Sequence, residues 1–475
     1  MKNKYTNFII LVVIVCTCLL QADSYSQQSV KKIPVIAASN EVAYFTVTEN
    51  GKIIQNSQNW RISPQLKPDV FEAKVSKQAT VKFATDKDSI SFLVKPNEKI
   101  DFIVLLNGKD SAYTRIEAFR FVPAANFTEA YKAKYNNTIS VEIPEVYELV
   151  NIVIALTDTG MKSPNLVDRN NKYHPQMLEW FNKYKDERVV KTFDSILRVN
   201  ISNYHILKMD AYSFEFSKQG AILQSKIYDR TGWRDRNQLR PYIKQLQDFA
   251  NKSLFRKFYS MSQSVYTEQM NYYKDSVGVE KMKQWLMKNF PSSKYNCFKI
   301  IFSPLVSGNQ SANWLSNNNF NEAHSHINFP YPARSISWGA AARIRSGRIV
   351  FTEMNHAFIN PEAEKENYRN DVATVCKNLS QWLDDWMLPN YNSSTSCFNE
   401  YMNWGLVSLW YIDNAPAEQL ELLLQNNETY MVKGRGFKKF SAFNKFLVQL
   451  YRQRDEGKAI ADLYPAIIEW FKQNQ

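Results

Sequence analysis

The chain has 475 residues, 44% of them hydrophobic, and this length is enough for two or three domains with a large core. Its formal net charge of +13 comes from basic residues spread along the whole chain, which indicates a solvated surface. No nucleic-acid-binding signature accompanies that charge, so we expect no nucleic-acid partner.

The first 26 residues are predicted to be a secretory signal peptide. Lys2 and Lys4 precede an apolar run over residues 8–20, and the small residues Ser24 and Ser26 suit cleavage before Gln27. The run is too short to span a bilayer, and no second run of transmembrane length follows. The sequence therefore predicts an exported protein, periplasmic or extracellular, with no transmembrane helix in the mature chain.

Cysteine usage bears on both anchoring and folding. Cys16 and Cys18 raise the alternative of a lipoprotein, which is less favoured because Val15 and Thr17 precede them where a smaller residue is usual. The mature chain keeps only three cysteines, at 297, 376 and 397, which excludes a disulfide framework. One bridge between residues 376 and 397 stays open as an alternative.

Residues 27–125 read as a β-rich N-terminal domain, sandwich-like or barrel-like. Alternating apolar residues predict strands over 42–47, 80–84, 90–94 and 100–106. Asn107-Gly108 then predicts a hairpin turn into a partner strand over 113–118.

Residues 126–475 are predicted to form a mainly helical domain with a minor sheet, so the fold class is α+β. Apolar stripes at helical spacing cover residues 146–154, 243–258, 277–290, 372–388, 398–412 and 459–471. Strands are expected over 297–302 and 335–341. This composition is typical of a zincin-type catalytic domain.

One pentapeptide of this region is close to a zinc-peptidase motif. Thr352-Glu353-Met354-Asn355-His356 matches H-E-x-x-H at every defined position except the first. In that motif two histidines bind zinc and the glutamate acts as general base toward the metal-bound water. Threonine is a poor zinc ligand. The pentapeptide therefore keeps the general base but only one of the two histidine ligands.

Helical geometry would present these residues on one side. Apolar residues at 350, 351, 354, 357 and 358 form a stripe, and Thr352 and His356 lie almost opposite it. We expect the helix to end at Asn360, because the residue before a proline is disfavoured in a helix. The alternative without catalysis is a polar helix face that carries one hydrogen-bonded histidine.

Four segments together resemble the domain-of-unknown-function family 4932, exported proteins of Gram-negative bacteria that look like metallopeptidases. The segments are residues 89–117, 141–157, 300–311 and 349–361. The last reads IVFTEMNHAFINP, where the family shows a form like HEFSHSFVNP. The resemblance covers most of the mature chain.

The resemblance implies a role for each matching position. His356 would be a zinc ligand, Glu353 the general base, and Thr352 would stand at the position of the lost ligand. Glu400 would be the third ligand by its position on a later helix, although a helix-end carboxylate is an equal alternative. Zinc binding is therefore expected to be weak or absent.

His324 and His326 are the candidates to replace the missing imidazole. Their i, i+2 spacing would place both on one face of a strand. The alternative is a pair of exposed loop histidines.

Three functions remain in competition. The first is a pseudopeptidase that keeps a peptide-binding cleft, and this is the reading we favour. The second is an active zinc metallopeptidase with an unusual ligand set. The third is a non-catalytic surface protein that binds glycan or protein. The oligomeric state does not follow from the sequence.

Overall fold

The computed structural model describes residues 33–308, 310–331 and 339–475. The predicted signal peptide and the lipidation alternative at Cys16 and Cys18 lie outside these residues. The chain divides into two units between Phe121 and Val122, close to the sequence-based boundary at residue 125. Among the helices of the described residues, none is long and apolar enough to cross a membrane.

From residue 33 onward, the N-terminal unit contains eight strands in two open four-stranded sheets. The strands are β1 (Val35–Ala38), β2 (Val42–Glu49), β3 (Lys52–Arg61), β4 (Asp69–Val75), β5 (Ala79–Ala84), β6 (Ser89–Val94), β7 (Lys99–Leu106) and β8 (Asp110–Arg120). One sheet has the order β1-β7-β8-β4 and the other β3-β2-β5-β6. The predicted hairpin is present, with Leu106 paired to Asp110 across the Asn107-Gly108 turn.

A single apolar core joins the two sheets of this unit. Phe45 on β2 stacks on Phe71 of β4 with ring centroids 3.8 Å apart, and Phe83 on β5 meets Phe102 of β7 at 4.9 Å. All four side chains are buried. Alternation along β2, β5, β7 and β8 turns the apolar residues inward, as the sequence predicted.

The second unit is mainly helical and contains a minor sheet. Its strands are β9 (Thr138–Glu142), β10 (Phe214–Phe216), β11 (Ile222–Gln224), β12 (Cys297–Ser303), β13 (Ser311–Asn317) and β14 (Phe320–Asn328). Strands β13, β14, β12 and β9 form one sheet in that order, and β10 pairs with β11. β14, β12 and β9 run parallel, whereas the edge strand β13 is antiparallel to β14.

The α-helices of this unit are numbered here in chain order. The first nine are α1 (Glu129–Tyr135), α2 (Glu145–Leu156), α3 (Asp158–Lys162), α4 (Tyr173–Phe181), α5 (Arg188–Val199), α6 (Asn203–Ala211), α7 (Ile243–Lys252), α8 (Phe255–Met261) and α9 (Gln263–Asn271). The others are α10 (Val279–Asn289), α11 (Gly339–Ser346), α12 (Arg348–Ala363), α13 (Arg369–Val372), α14 (Ser394–Asn414), α15 (Ala417–Thr429), α16 (Phe440–Gln453) and α17 (Tyr464–Gln473). The predicted order, a strand-rich region followed by a mainly helical one with a minor sheet, is confirmed.

Two of the predicted helices are wrong in detail. Residues 372–388 do not form one helix, because tertiary partners take their backbone groups: the N–H of Cys376 donates to Ser394 Oγ at 2.8 Å, and that of Asp384 to the Gly436 carbonyl at 2.8 Å. The stripe over residues 243–258 is split between α7 and α8 at Leu254, whose φ is +55°. Short 3-10 and π segments lie at Asn182–Tyr184, Arg240–Tyr242, Tyr272–Val277, Leu379–Gln381, Asp385–Met387, Tyr430–Gly434 and Ile460–Leu463.

The expected strand over residues 335–341 is not observed where the structure describes it. Residues 332–338 lie outside the described part of the chain, and α11 already begins at Gly339. The three cysteines in the described part of the chain, at 297, 376 and 397, are buried free thiols, including the pair at 376 and 397 that the sequence left open to bridging.

Helix α12 runs past the expected end at Asn360 and includes Pro361. Proline lacks the N–H that would donate to the carbonyl of Ala357, four residues earlier. The hydroxyl of Tyr295 donates to that carbonyl instead, at 2.7 Å. A side chain from another part of the chain thus satisfies the carbonyl, and the last turn of the helix persists.

Candidate functional site

Helix α12 places the motif residues on the wall of a cleft of about 530 Å³ within the second unit. Thr352, Glu353 and His356 all line this cleft. The opposite face of the helix is buried in the core, through Val350, Phe351, Met354, Ala357 and Phe358. The orientation predicted from the apolar stripe is therefore the one observed.

Helix α14 brings Glu400 into the same cleft, so the four residues singled out from the sequence lie together. The distance between His356 Nε2 and Glu400 Oε2 is 3.9 Å. Helix α14 begins with a capping box in which Ser393 accepts a hydrogen bond from the Ser396 amide. Nearly every residue of α14 up to Tyr411 is buried, which fixes Glu400 on a rigid element.

Glu400 is already bound by other side chains of the protein. Arg435 Nη1 lies 2.5 Å from Glu400 Oε1, and Trp404 Nε1 donates to the same oxygen at 2.9 Å. Burial acts to raise the pKa of Glu400, but the charges of Arg435 and His356 and the hydrogen bonds from Arg435 and Trp404 together outweigh it, so the pKa is lowered and the carboxylate is ionised at neutral pH. Arg435 does not stand out in the sequence, because with Lys433, Lys438 and Lys439 it forms a basic cluster typical of a solvated face.

The ring of His356 is held between two amides. Asn403 Nδ2 lies 3.1 Å from His356 Nε2, and Asn360 Oδ1 lies 3.4 Å from His356 Nδ1. An amide nitrogen donates and an amide oxygen accepts, so this pairing assigns the proton of a neutral ring to Nδ1. The lone pair on Nε2 is then engaged by Asn403.

These donors do not fit a zinc ion. The Thr352 hydroxyl donates to the Ile349 carbonyl at 2.8 Å, the His356 Nε2 lone pair is engaged, and Glu400 is paired with a guanidinium. Structural and catalytic zinc sites use at least three imidazole, thiolate or carboxylate ligands. Within residues 33–308, 310–331 and 339–475, no three His, Cys, Asp or Glu side chains form a group that could hold a metal.

Glu353 is in a different electrostatic state from Glu400. Burial raises its pKa to about 7, and the nearby charge of Glu400 acts in the same direction. His356 and Lys208 act in the opposite direction without cancelling the effect of burial. At neutral pH one carboxyl of the cleft is therefore partly protonated, and the other is a fixed anion.

The edge strand β13 and several aromatic side chains form the other wall of the cleft. Ser311, Ala312 and Trp314 of β13 line it. His205 on α6 also lines it, with its Nδ1 2.6 Å from Ser311 Oγ, and burial lowers the pKa of this imidazole to about 3. The further aromatic lining residues are Trp233, Tyr391, Trp404 and Tyr430.

Trp233 is fixed across β13 by the loop that carries it. Its indole N–H donates to the Ala312 carbonyl at 2.9 Å, while half of the side chain stays exposed. The Asp210 carboxylate accepts hydrogen bonds from the backbone amides of Thr231 and Gly232 at 3.1 and 2.8 Å. A Cβ on Gly232 would lie 2.9 Å from the Asp210 carboxylate, so this close approach requires glycine.

The predicted replacement of the missing imidazole by His324 and His326 does not match the observed placement. Both lie on β14 as predicted, with ring centroids 5.9 Å apart, but they are buried and are not among the residues that line the cleft. The alternative of exposed loop histidines is wrong for the same reason. His324 Nε2 lies 2.9 Å from Glu322 Oε2, and burial lowers the pKa of His326 well below its usual value.

Comparison of the chain with protein-family models, with curated proteins and with solved structures found no match. The likeness to family 4932 therefore rests on the four sequence segments, and the chemistry of the cleft rests on its own geometry.

Proposed function

We propose that this chain is an exported, metallopeptidase-like protein with a degenerate zinc motif, a pseudopeptidase that keeps a peptide-binding cleft. The observation that carries the proposal is that the motif helix α12 and the edge strand β13 line the same cleft. Glu353, His356 and Glu400, to which the resemblance gives the roles of general base and two ligands, line that cleft together. The donor set described above argues against tight zinc binding.

A peptide ligand is supported by the character of the strand wall. β13 is the edge of its sheet among the described residues, and an edge strand offers backbone groups with which an extended peptide can pair. Alternate side chains of such a peptide would face the aromatic residues of the cleft. Trp233 already engages the Ala312 carbonyl, so pairing would use the rest of the strand.

A binding assay with a cleft variant tests this function. The probe is a tryptic digest of casein, incubated with mature protein (residues 27–475) and analysed by mass spectrometry for retained and for newly cleaved peptides. We expect EDTA-insensitive retention without cleavage, and a loss of affinity of about tenfold or more in Trp314→Ala. Trp386→Ala is the matched control, because Trp386 is exposed and does not line the cleft.

The alternatives give different results in the same assay. Cleavage that EDTA and Glu353→Gln both abolish would establish an active metallopeptidase with an unusual ligand set. The exposed indole of Trp233 beside polar side chains also suits a sugar ring, so chitohexaose is tested in parallel. Retention of the oligosaccharide in place of peptides would establish a glycan-binding protein, and retention of neither probe contradicts the proposal.

A further inference from the structure

Arg435 is held in the cleft wall by an anion, a hydroxyl and two aromatic rings. One guanidinium nitrogen lies 2.5 Å from Glu400 Oε1, and Nη2 donates to the Tyr391 hydroxyl. The guanidinium carbon lies 5.2 Å from the ring of Trp404 and 5.5 Å from that of Phe437. Only 18% of its side chain is exposed, so this cation is a fixed part of the cleft.

The position of Arg435 is that of a counterion. Glu400 is a buried anion, and a second carboxyl, that of Glu353, shares the cleft with it. A buried carboxylate needs a cation close by, and in a zinc site the metal supplies that charge. Here the guanidinium supplies it, through Oε1 of the Glu400 carboxylate.

We propose that Arg435 takes the place of the metal's charge in this cleft, so that zinc is excluded at two positions, Thr352 and Arg435. This inference rests on the proposed function, because it takes the cleft to be a decayed zinc site. A divalent cation beside Glu400 would lie next to the guanidinium and would compete with it for the same carboxylate. In Thr352→His alone, the guanidinium of Arg435 therefore still competes with the metal for the Glu400 carboxylate.

Zinc titration of four proteins tests the inference. Wild type, Thr352→His, Arg435→Gln and the double variant are stripped with chelator, and zinc affinity is measured by competition with a chromogenic chelator. Elemental analysis gives the stoichiometry. We expect one tightly bound zinc per chain only in the double variant, with an affinity about 100-fold or more above that of Thr352→His.

Two control variants separate charge from structure. Thr352→His/Arg435→Lys keeps a positive charge at position 435 but replaces the planar guanidinium with an ammonium group. Its zinc affinity should stay close to that of Thr352→His. Thr352→His/Lys438→Gln removes one positive charge from an exposed neighbour and should change nothing. Because Arg435→Gln leaves Glu400 unpaired, thermal unfolding is recorded with and without zinc, and zinc should raise the melting temperature of the double variant alone.

Either of two results overturns the inference. If Thr352→His alone binds zinc as tightly as the double variant, Arg435 does not exclude the metal, while the proposed pseudopeptidase stands. If the folded double variant binds no zinc, Thr352 and Arg435 are not the two obstacles. The casein-digest assay on wild type decides the proposed function separately, since it involves no metal.

Discussion

Glu353 and Glu400 are two carboxyl groups of one cleft whose protonation differs for physical reasons. Glu400 accepts hydrogen bonds from Arg435 and Trp404, and these stabilise its anion. Glu353 has no hydrogen-bond partner among the described residues, so burial dominates and raises its pKa to about 7. A neutral carboxylic acid can donate a hydrogen bond to a ligand carbonyl, whereas the anion of Glu400 cannot.

The raised pKa of Glu353 predicts a dependence of stability on pH. Between about pH 4.5, the ordinary carboxyl value, and pH 7, the folded chain holds a proton that the unfolded chain has lost. Stability should therefore fall as the pH rises through this window. Glu353→Gln should remove the part of this fall that Glu353 contributes, and it should gain on the order of 2 kcal/mol relative to wild type between pH 4.5 and pH 8.

Urea denaturation at a series of pH values measures this difference. Glu364→Gln is the control, because Glu364 is exposed at the end of the same helix. Parallel pH curves for wild type and Glu353→Gln would show that the carboxyl of Glu353 titrates as in the unfolded chain.

At the scale of the element, helix α12 depends on a contact from outside itself for its last turn. Sequence rules place the end of the helix before Pro361, and the missing N–H is the physical basis of those rules. The Tyr295 hydroxyl, 62 residues earlier in the chain, satisfies the free Ala357 carbonyl. Local sequence could not show this, because the hydrogen bond exists only after the chain has folded.

A double-mutant cycle tests this account. Tyr295→Phe leaves a carbonyl without a donor and should lower the free energy of unfolding by about 1 kcal/mol. In a Pro361→Ala background the new backbone N–H can donate to Ala357, so the same change should cost less. We expect a coupling of about 0.5 kcal/mol or more, measured by urea denaturation. Additive costs would mean that the Tyr295 hydroxyl does not substitute for the missing N–H.

At the scale of the whole molecule, each of the two units has a core of its own. The Phe45–Phe71 stack lies in the core of the N-terminal sheets, and Phe193 lies in the core of the helical unit. Separate cores allow separate unfolding.

We predict that Phe45→Ala and Phe193→Ala destabilise different units, each by about 3 kcal/mol, because both rings are fully buried. Differential scanning calorimetry should show two transitions, of which each variant lowers one. Peptide retention by the cleft should survive Phe45→Ala at temperatures below the lowered transition. A single transition that both variants shift equally would contradict this independence.

The sequence allowed much of this organisation to be predicted, although β1, β3 and β4 are not among the predicted strands of the N-terminal unit. Strands β2 and β5 to β8 follow from alternation and from the Asn107-Gly108 turn, whereas β3 has few inward apolar residues and was missed. The sequence of β13, SANWLSN, has no alternation of apolar and polar residues that would predict a strand. Its extended conformation depends on pairing with β14. In the cleft, Glu353, His356 and Glu400 came from the motif and the resemblance.

Arg435 and the β13 wall could not be found in that way. Arg435 is 35 residues from Glu400 along the chain, and no short-range spacing links them. Contacts across the fold, and not the residue types nearby, decide that this arginine is only partly exposed while Lys433 and Lys438 are exposed.

The hydrogen bond from the Trp233 indole to the Ala312 carbonyl also bears on how copies of this chain meet at high concentration. Two exposed strand edges can join into a continuous sheet, and such joining begins aggregation. The indole takes one backbone acceptor of β13 and leaves a bulky ring over the strand. A narrow, flexible chain can still enter beside the ring, whereas the rigid edge of a second folded copy meets a steric block. We therefore expect the same tryptophan to protect the sheet edge from self-association.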